Sequence, residues 1–145
     1  MSKDQDSDEF LSIPESYQRY ICEIYRISHN KHGGWVTNKE LAESLNVERP
    51  SITGMLHKLK EEDLINWTPR KAIRLTKKGR EYASKLDITN LLLRRFFKEI
   101  LEIEDNELIE KISCDIEHHI TEKVQKSLKE FIDYFFELRQ KCEEL

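Results

Sequence analysis

Cys114, Glu117 and His118 stand at positions i, i+3 and i+4, a spacing that brings three side chains to one face of a helix. Thiolate, carboxylate and imidazole together suit Fe2+ or Zn2+ better than Mg2+ or Ca2+, which prefer oxygen donors. His119 follows directly. Neighbours on a helix point about 100° apart, so it turns away from that face. The bland alternative makes Cys22 and Cys114 small buried residues, the commonest fate of a free cysteine. Three widely spaced cysteines, with Cys142 incidental in the C-terminal tail, do not form a disulfide framework. Nothing points to catalysis. There is no glycine-rich phosphate loop, and Glu117-His118-His119 lacks the His-Glu-x-x-His spacing of a zinc protease. The expectation is no enzyme and no small organic substrate.

These residues need elements to hold them. The chain has 145 residues, with 38% hydrophobic and 36% charged positions but only four glycines and three prolines. That length allows one domain or two small ones. Few breakers and many Lys, Glu and Leu residues point to a mainly helical chain. An α/β barrel is excluded on length, since that fold takes roughly 250 residues. No apolar run approaches the ~18 residues of a membrane span, and the polar, acidic N-terminus is no signal peptide. A cytoplasmic location without a membrane partner is the expectation, and residues 1–12 read as a disordered acidic tail.

Pro14 can open a helix, with Tyr17, Tyr20, Ile21, Ile24, Tyr25 and Ile27 following at helical spacing until Gly33-Gly34. Thr37-Asn38-Lys39-Glu40 is a capping box for a short helix through Leu41, Ala42 and Leu45, closed by Asn46. Pro50 lies in the first turn of the next helix. Its predicted buried face is Ile52, Met55, Leu56 and Leu59, with Ser51, Thr53, His57, Lys58 and Lys60 elsewhere. Two β-like runs, 64–67 and 72–75, flank the turn Thr68-Pro69-Arg70-Lys71 and predict a hairpin. Two tightly joined helices followed by such a hairpin make a winged helix-turn-helix, whose second helix enters the DNA major groove.

The net charge of −4 looks wrong for such a partner, but it is unevenly spread. Residues 49–80 hold nine Lys and Arg against three acids, a net of +6, whereas residues 81–145 carry −6. The basic stretch coincides with the recognition helix and wing, which predicts double-stranded DNA as the partner. A winged helix used only for protein contacts is the alternative. Past the wing, Thr76 can cap a helix from Lys77 to about Leu101, and two more helical regions follow, one holding Leu108 to Ile120 and one from Thr121. Large apolar residues there exceed what a domain of about 65 residues can bury, which predicts a homodimer. A twofold pair of winged helices suits a pseudo-palindromic operator.

Four motifs then occur together in order: Tyr20-Ile21-x-x-Ile24-Tyr25, Pro50-Ser51-Ile52-Thr53, Leu75-Thr76-x-x-Gly79 and Cys114-x-x-Glu117-His118-His119-Ile120-Thr121. Over roughly residues 14–138 the chain resembles the diphtheria toxin repressor and manganese transport regulator family of metal-dependent repressors, in its shorter two-domain form. The resemblance implies a mainly α fold: a winged helix-turn-helix DNA-binding domain over 13–79, then an all-helical dimerisation and metal-sensing domain over 80–145. It implies a transcriptional repressor of metal-homeostasis genes, working as a homodimer with one divalent transition metal per subunit. It turns Pro50, Ser51, Thr53 and Gly54 toward the groove and sets Arg49, Lys58, Arg70, Lys71 and Arg74 on the DNA backbone. Thr37 and His57 complete the DNA-contacting set.

The same resemblance implies the metal donors. Cys22 falls where manganese-selective members carry a ligand Glu, and Cys114 also replaces a Glu there, so the implied site is Cys22, Cys114, Glu117 and His118. That donor set favours Fe2+ or Zn2+ over Mn2+. Arg19 takes the place of a family ligand and cannot itself coordinate. Asn90 stands at the usual His of the family's long helix, and Arg94 and Glu110 fall near ligand positions of an ancillary metal, so a second metal is not expected. Two alternatives stay open. Arg19 could stand in for the metal by pairing with Glu117, giving a metal-independent regulator. Or Cys22 and Cys114 could form a thiol-redox switch, since a nearby cation makes a thiol reactive.

Overall fold

The structure, a computed structural model, describes residues 9–145. Helix α1 spans Glu15–Ser28 and is entered from Pro14, whose φ of −55° suits a helix start. Helix α2, Asn38–Leu45, begins where Thr37 Oγ1 accepts the Glu40 backbone N–H at 3.1 Å. It closes at Asn46 in the left-handed region (φ 54°), which asparagine tolerates better than most residues. Helix α3, Arg49–Glu61, carries Pro50 in its first turn, where the missing N–H costs nothing. Strands β1 (Ile65–Asn66) and β2 (Arg74–Leu75) pair antiparallel with Ile65 opposite Leu75. The predicted winged helix-turn-helix is present.

One pairing lies outside the predicted hairpin. Val36 and Ile73 exchange two backbone hydrogen bonds, at 2.8 and 2.7 Å, so the loop before α2 is stitched to the wing. The core of this region is Ile21, Ile24, Leu41, Ile52, Leu56, Leu59, Leu64 and Ile73, all fully buried. Met55, expected in that core, is only half-buried.

Helix α4, Lys77–Arg95, starts against the wing. Thr76 Oγ1 accepts the Gly79 N–H at 3.0 Å and donates to the Asp63 carbonyl at 2.7 Å. A Cβ at Gly79 would lie 2.1 Å from the Leu64 carbonyl oxygen, so only glycine lets the helix approach this closely. The Leu-Thr-x-x-Gly motif is thus a docking device for α4. Because its first turns are held this way, they belong with the winged unit. The chain divides into Ile13–Lys85 and a second unit of Leu86–Leu145 with the N-terminal turn, six residues later than the proposed boundary at 79/80.

In the second unit α4 passes into a π-helical segment, Phe96–Ile100, ending near the predicted position. Helix α5 (Asn106–Ile116) is capped by Asp105, helix α6 (Glu122–Glu143) by Thr121, each through a side-chain oxygen accepting a backbone N–H. Phe96 meets Phe131 edge-on at 6.2 Å, and the Arg95 guanidinium lies 4.4 Å from the Phe136 ring centre. Of the proposed tail, residues 1–8 lie outside the described residues. Glu9–Ser12 form a 3₁₀ turn rather than an irregular segment, where Phe10-Leu11 interrupts the polar run. No helix among the described residues is long and apolar enough to cross a membrane.

Candidate DNA-reading surface and metal centre

Helix α3 is amphipathic in the sense its sequence predicts. Ile52, Leu56 and Leu59 are buried, leaving Arg49, Pro50, Ser51, Thr53, Gly54, His57 and Lys58 exposed. Nothing lies within 4 Å of where a Gly54 Cβ would stand, so packing does not require glycine there. His57 meets the buried Trp67 edge-to-face at 4.9 Å, which ties the exposed face of α3 to the wing. A cleft of about 270 Å³ joins the start of α2, the start of α3 and the wing tip, and its lining includes Thr37, Lys39, Arg49, Arg70 and Lys71. Four of these five are sequence-predicted DNA contacts brought together from three elements. Lys39 is the addition, hidden in the sequence as one helix position among many.

The wing tip is a turn in which the Lys71 N–H bonds the Thr68 carbonyl at 3.1 Å. Pro69 precedes Arg70, whose φ is +67°, the arrangement of a type II turn that ordinarily carries glycine at that place. An arginine held there costs on the order of 1 kcal/mol. Arg74 is set apart from this cleft: its guanidinium lies 5.6 Å from the Trp35 ring centre.

The implied metal donors divide between the two units. Cys22 is buried in α1 of the first unit, while Arg19 on the same helix is exposed and pairs with Glu15 at 2.8 Å. Cys114, Glu117 and His118 belong to the second unit. The expectation of one continuous helical face fails in detail, because α5 ends at Ile116 and Glu117–His119 form a 3₁₀ turn. The chain must leave the helix at Ile120, in extended conformation, before Thr121 caps α6, and a tightened last turn is the usual way to do so. Glu117 and His118 are buried, with His118 Nε2 3.6 Å from Glu117 Oε1, and His119 is exposed as expected.

Cys114 is half-buried and receives the Asn90 side-chain N–H at 3.7 Å. One turn on, Arg94 faces Glu110 at 3.8 Å. Ser113 is fully buried, and its hydroxyl has no hydrogen-bond partner among the described residues. Sequence reasoning missed it, and also the half-buried Gln125 Nε2 to Thr89 Oγ1 bond at 2.8 Å. Among the described residues no three His, Cys, Asp or Glu side chains are gathered as a ready metal cluster. Even so, a buried carboxylate beside a buried imidazole, with a thiol one turn away and an unused buried hydroxyl, is a donor set that fits a soft-to-borderline divalent cation.

Comparison with known proteins agrees with both halves. Residues 13–73 match the DNA-binding domain of iron-dependent repressors, and residues 76–139 match the metal-binding and dimerisation domain of the same proteins. An uncharacterized HTH-type transcriptional regulator of Methanocaldococcus jannaschii is 30% identical over 85% of this chain and 97% of its own length. The regulator MntR of Geobacillus kaustophilus is 29% identical over 90% of this chain and 89% of its own. Among solved structures, the manganese regulator SloR superposes with a TM-score of 0.67 at 28% identity, covering 81% of this chain. ScaR with bound Zn2+ gives 0.66 at 27%, also over 81%. The chain spans about half, 54%, of each of those two solved chains.

A winged helix-turn-helix followed by a helical metal-binding and dimerisation domain defines a class, the metal-dependent transcriptional repressors. Its members are regulators and not enzymes. This chain belongs to the iron-dependent repressor family.

Proposed function

We propose that the chain represses metal-homeostasis genes by binding a pseudo-palindromic operator as a homodimer, with one divalent transition metal per subunit as the co-repressor. The observation that carries the DNA half is the cleft where Thr37, Arg49, Arg70 and Lys71 converge beside the exposed face of α3. Cations gathered from three elements suit a phosphate backbone, while the small residues Ser51, Thr53 and Gly54 suit thymine methyls and groove shape. Dimerisation would cover part of the apolar surface of the second unit, where Leu91, Phe131, Tyr134 and Leu138 are exposed.

The proposed metal donors are Cys114, Glu117 and His118, with Cys22 as the fourth that the family resemblance assigns. When bound, the cation supplies positive charge to a buried carboxylate and draws the thiol into its thiolate form. Two sulfur donors favour Fe2+ or Zn2+ over Mn2+, although one related structure is a manganese regulator and another holds Zn2+. Arg19 and Asn90 act as modulators of the site: Asn90 through its hydrogen bond to Cys114, Arg19 through its charge on the helix that carries Cys22.

Elemental analysis of anaerobically purified protein, run beside an operator titration with and without chelator, tests this. Chelator should weaken operator binding, and Cys114→Ala should abolish the response to added metal. Affinity that ignores chelator but falls on oxidation replaces the metal with a thiol switch. Affinity that responds to neither makes the regulator metal-independent.

A further inference from the structure

A cavity of about 340 Å³ opens in the winged unit, away from the wing-tip cleft. It is bounded by Tyr25 and His29 at the end of α1, by Gly33 and Gly34, by Arg74 of β2 and by Arg80 of α4. A second cleft of about 450 Å³ shares Tyr25 and Arg80 and continues along α4 past Lys77 and Lys85. The two are therefore one basic groove.

Its charge is unbalanced. No carboxylate lines the first cavity, where Arg74 and Arg80 stand, and Glu81 lines the second beside Lys77 and Lys85, of which Lys85 has a partner of its own. Among the described residues the Arg80 guanidinium makes no ion pair. Arg74 is steadied by the Trp35 ring and not by an acid. Two guanidinium groups on one cavity repel each other, and their planar forks match the oxygens of a phosphate. The other walls suit the same guest. Gly33 and Gly34 have φ of 75° and 70°, and a Cβ at Gly34 would meet only Ser28 Cβ at 3.9 Å. Packing leaves that space open, and glycine there lets main chain approach a ligand. His29 Nδ1 lies 2.7 Å from the Tyr25 carbonyl and donates to it, which leaves Nε2 as the ring nitrogen for another partner. The volume lies at the lower end of those that hold small metabolites.

We infer that this groove binds a small phosphate-bearing anion, gripped by Arg74 and Arg80, as a second effector site distinct from the metal donors. Arg74 belongs to the wing, so a guest held there would change the wing's readiness for DNA, and linkage makes DNA change the guest's affinity in return. The same phosphate chemistry could be supplied by the DNA backbone, and the experiment separates the two sources.

The full-length protein is titrated with inorganic pyrophosphate at constant ionic strength, following backbone amide shifts. Gly33 and Gly34 should shift saturably while Gly54, on α3, stays put. Arg80→Gln and Arg74→Gln should each weaken the affinity about tenfold or more, the effect of one lost charged hydrogen bond, and Arg80→Lys should recover part of it. The variants' unchanged thermal melts show that they fold. Absence of a saturable shift up to about 10 mM, a millimolar Kd being a free energy near −4 kcal/mol, overturns the proposal. So do shifts that Arg80→Gln leaves unaltered. If pyrophosphate does not bind and Arg80→Gln instead weakens a non-operator duplex and lowers its salt dependence, the groove serves DNA backbone and the small-anion site is refuted.

Discussion

Asn90 and Cys114 meet across α4 and α5 at 3.7 Å, and one turn along the same pair of helices Arg94 meets Glu110 at 3.8 Å. The helices run antiparallel, so residues four apart on one face residues four apart on the other. The polar contacts form a two-rung ladder with the thiol on one rung and an ion pair on the next.

On the ion-pair rung Arg94 already supplies a positive charge to Glu110, and the prediction is that no second metal binds there. Elemental analysis should return one transition metal per subunit, and Glu110→Gln should leave that stoichiometry unchanged. Both partners are substantially exposed, so a double-mutant cycle on Arg94 and Glu110 should give a coupling of about 0.2–1 kcal/mol.

Asn90→Ala tests the thiol rung. Loss of the amide N–H that orients the Cys114 sulfur should weaken metal binding about 10–100-fold, the usual range for a group supporting a ligand. A competitive chelator titration reads the loss. Unchanged metal affinity would remove Asn90 from the site.

Gly79 and Gly54 should respond in opposite ways to alanine. Gly79→Ala drives a Cβ into the Leu64 carbonyl and should cost about 1–3 kcal/mol or more. Gly54→Ala, in open space on α3, should add about 0.4–1 kcal/mol while weakening operator binding if DNA approaches that face. Thermal melts and gel-shift titrations on both variants check this pair.

Neutralising Arg49, Arg70 or Lys71 one at a time should weaken operator and random duplex alike, and each should reduce the slope of log affinity against log salt by about one. Ser51 and Thr53 variants should instead change operator preference with little change in slope. A uniform loss from Ser51→Ala would place it on the backbone.

Lys31 hydrogen-bonds Glu40, and this bond, aided by the Thr37 cap, holds the Glu40 carboxyl below its ordinary pKa. A lowered folded-state value means the contribution is present above the unfolded carboxyl's pKa and is lost as pH falls through the folded one. Lys31→Ala should therefore lower the melting temperature at pH 7 and converge with the parent protein in strong acid.

Much of the winged unit was legible in the sequence because its signals are short-range. The Thr37 cap, the helix stop at Asn46, Pro50 in a first turn and the Thr68–Lys71 turn each need only residues a few positions apart, and each appears where predicted. The candidate site was less legible. Periodicity ran the Cys114–His118 segment on as a helix, whereas the cap of α6 at Thr121 forces the chain into a 3₁₀ turn first. Gln18, Thr89 and Ser113 are buried, although their residue types argue for exposure.

By itself, then, the sequence determined the order of elements, their caps and the gathering of positive charge on 49–80. Local hydrogen bonds and side-chain chemistry suffice for these. Only the tertiary structure decided what depends on residues far apart in the chain: the Val36–Ile73 pairing, the Gly79 approach to Leu64, the meeting of Asn90 with Cys114, and the placement of Arg74 over Trp35 instead of beside Arg70. Such contacts are selected by packing and by the need to satisfy buried polar groups, and neither has a fixed spacing in the sequence.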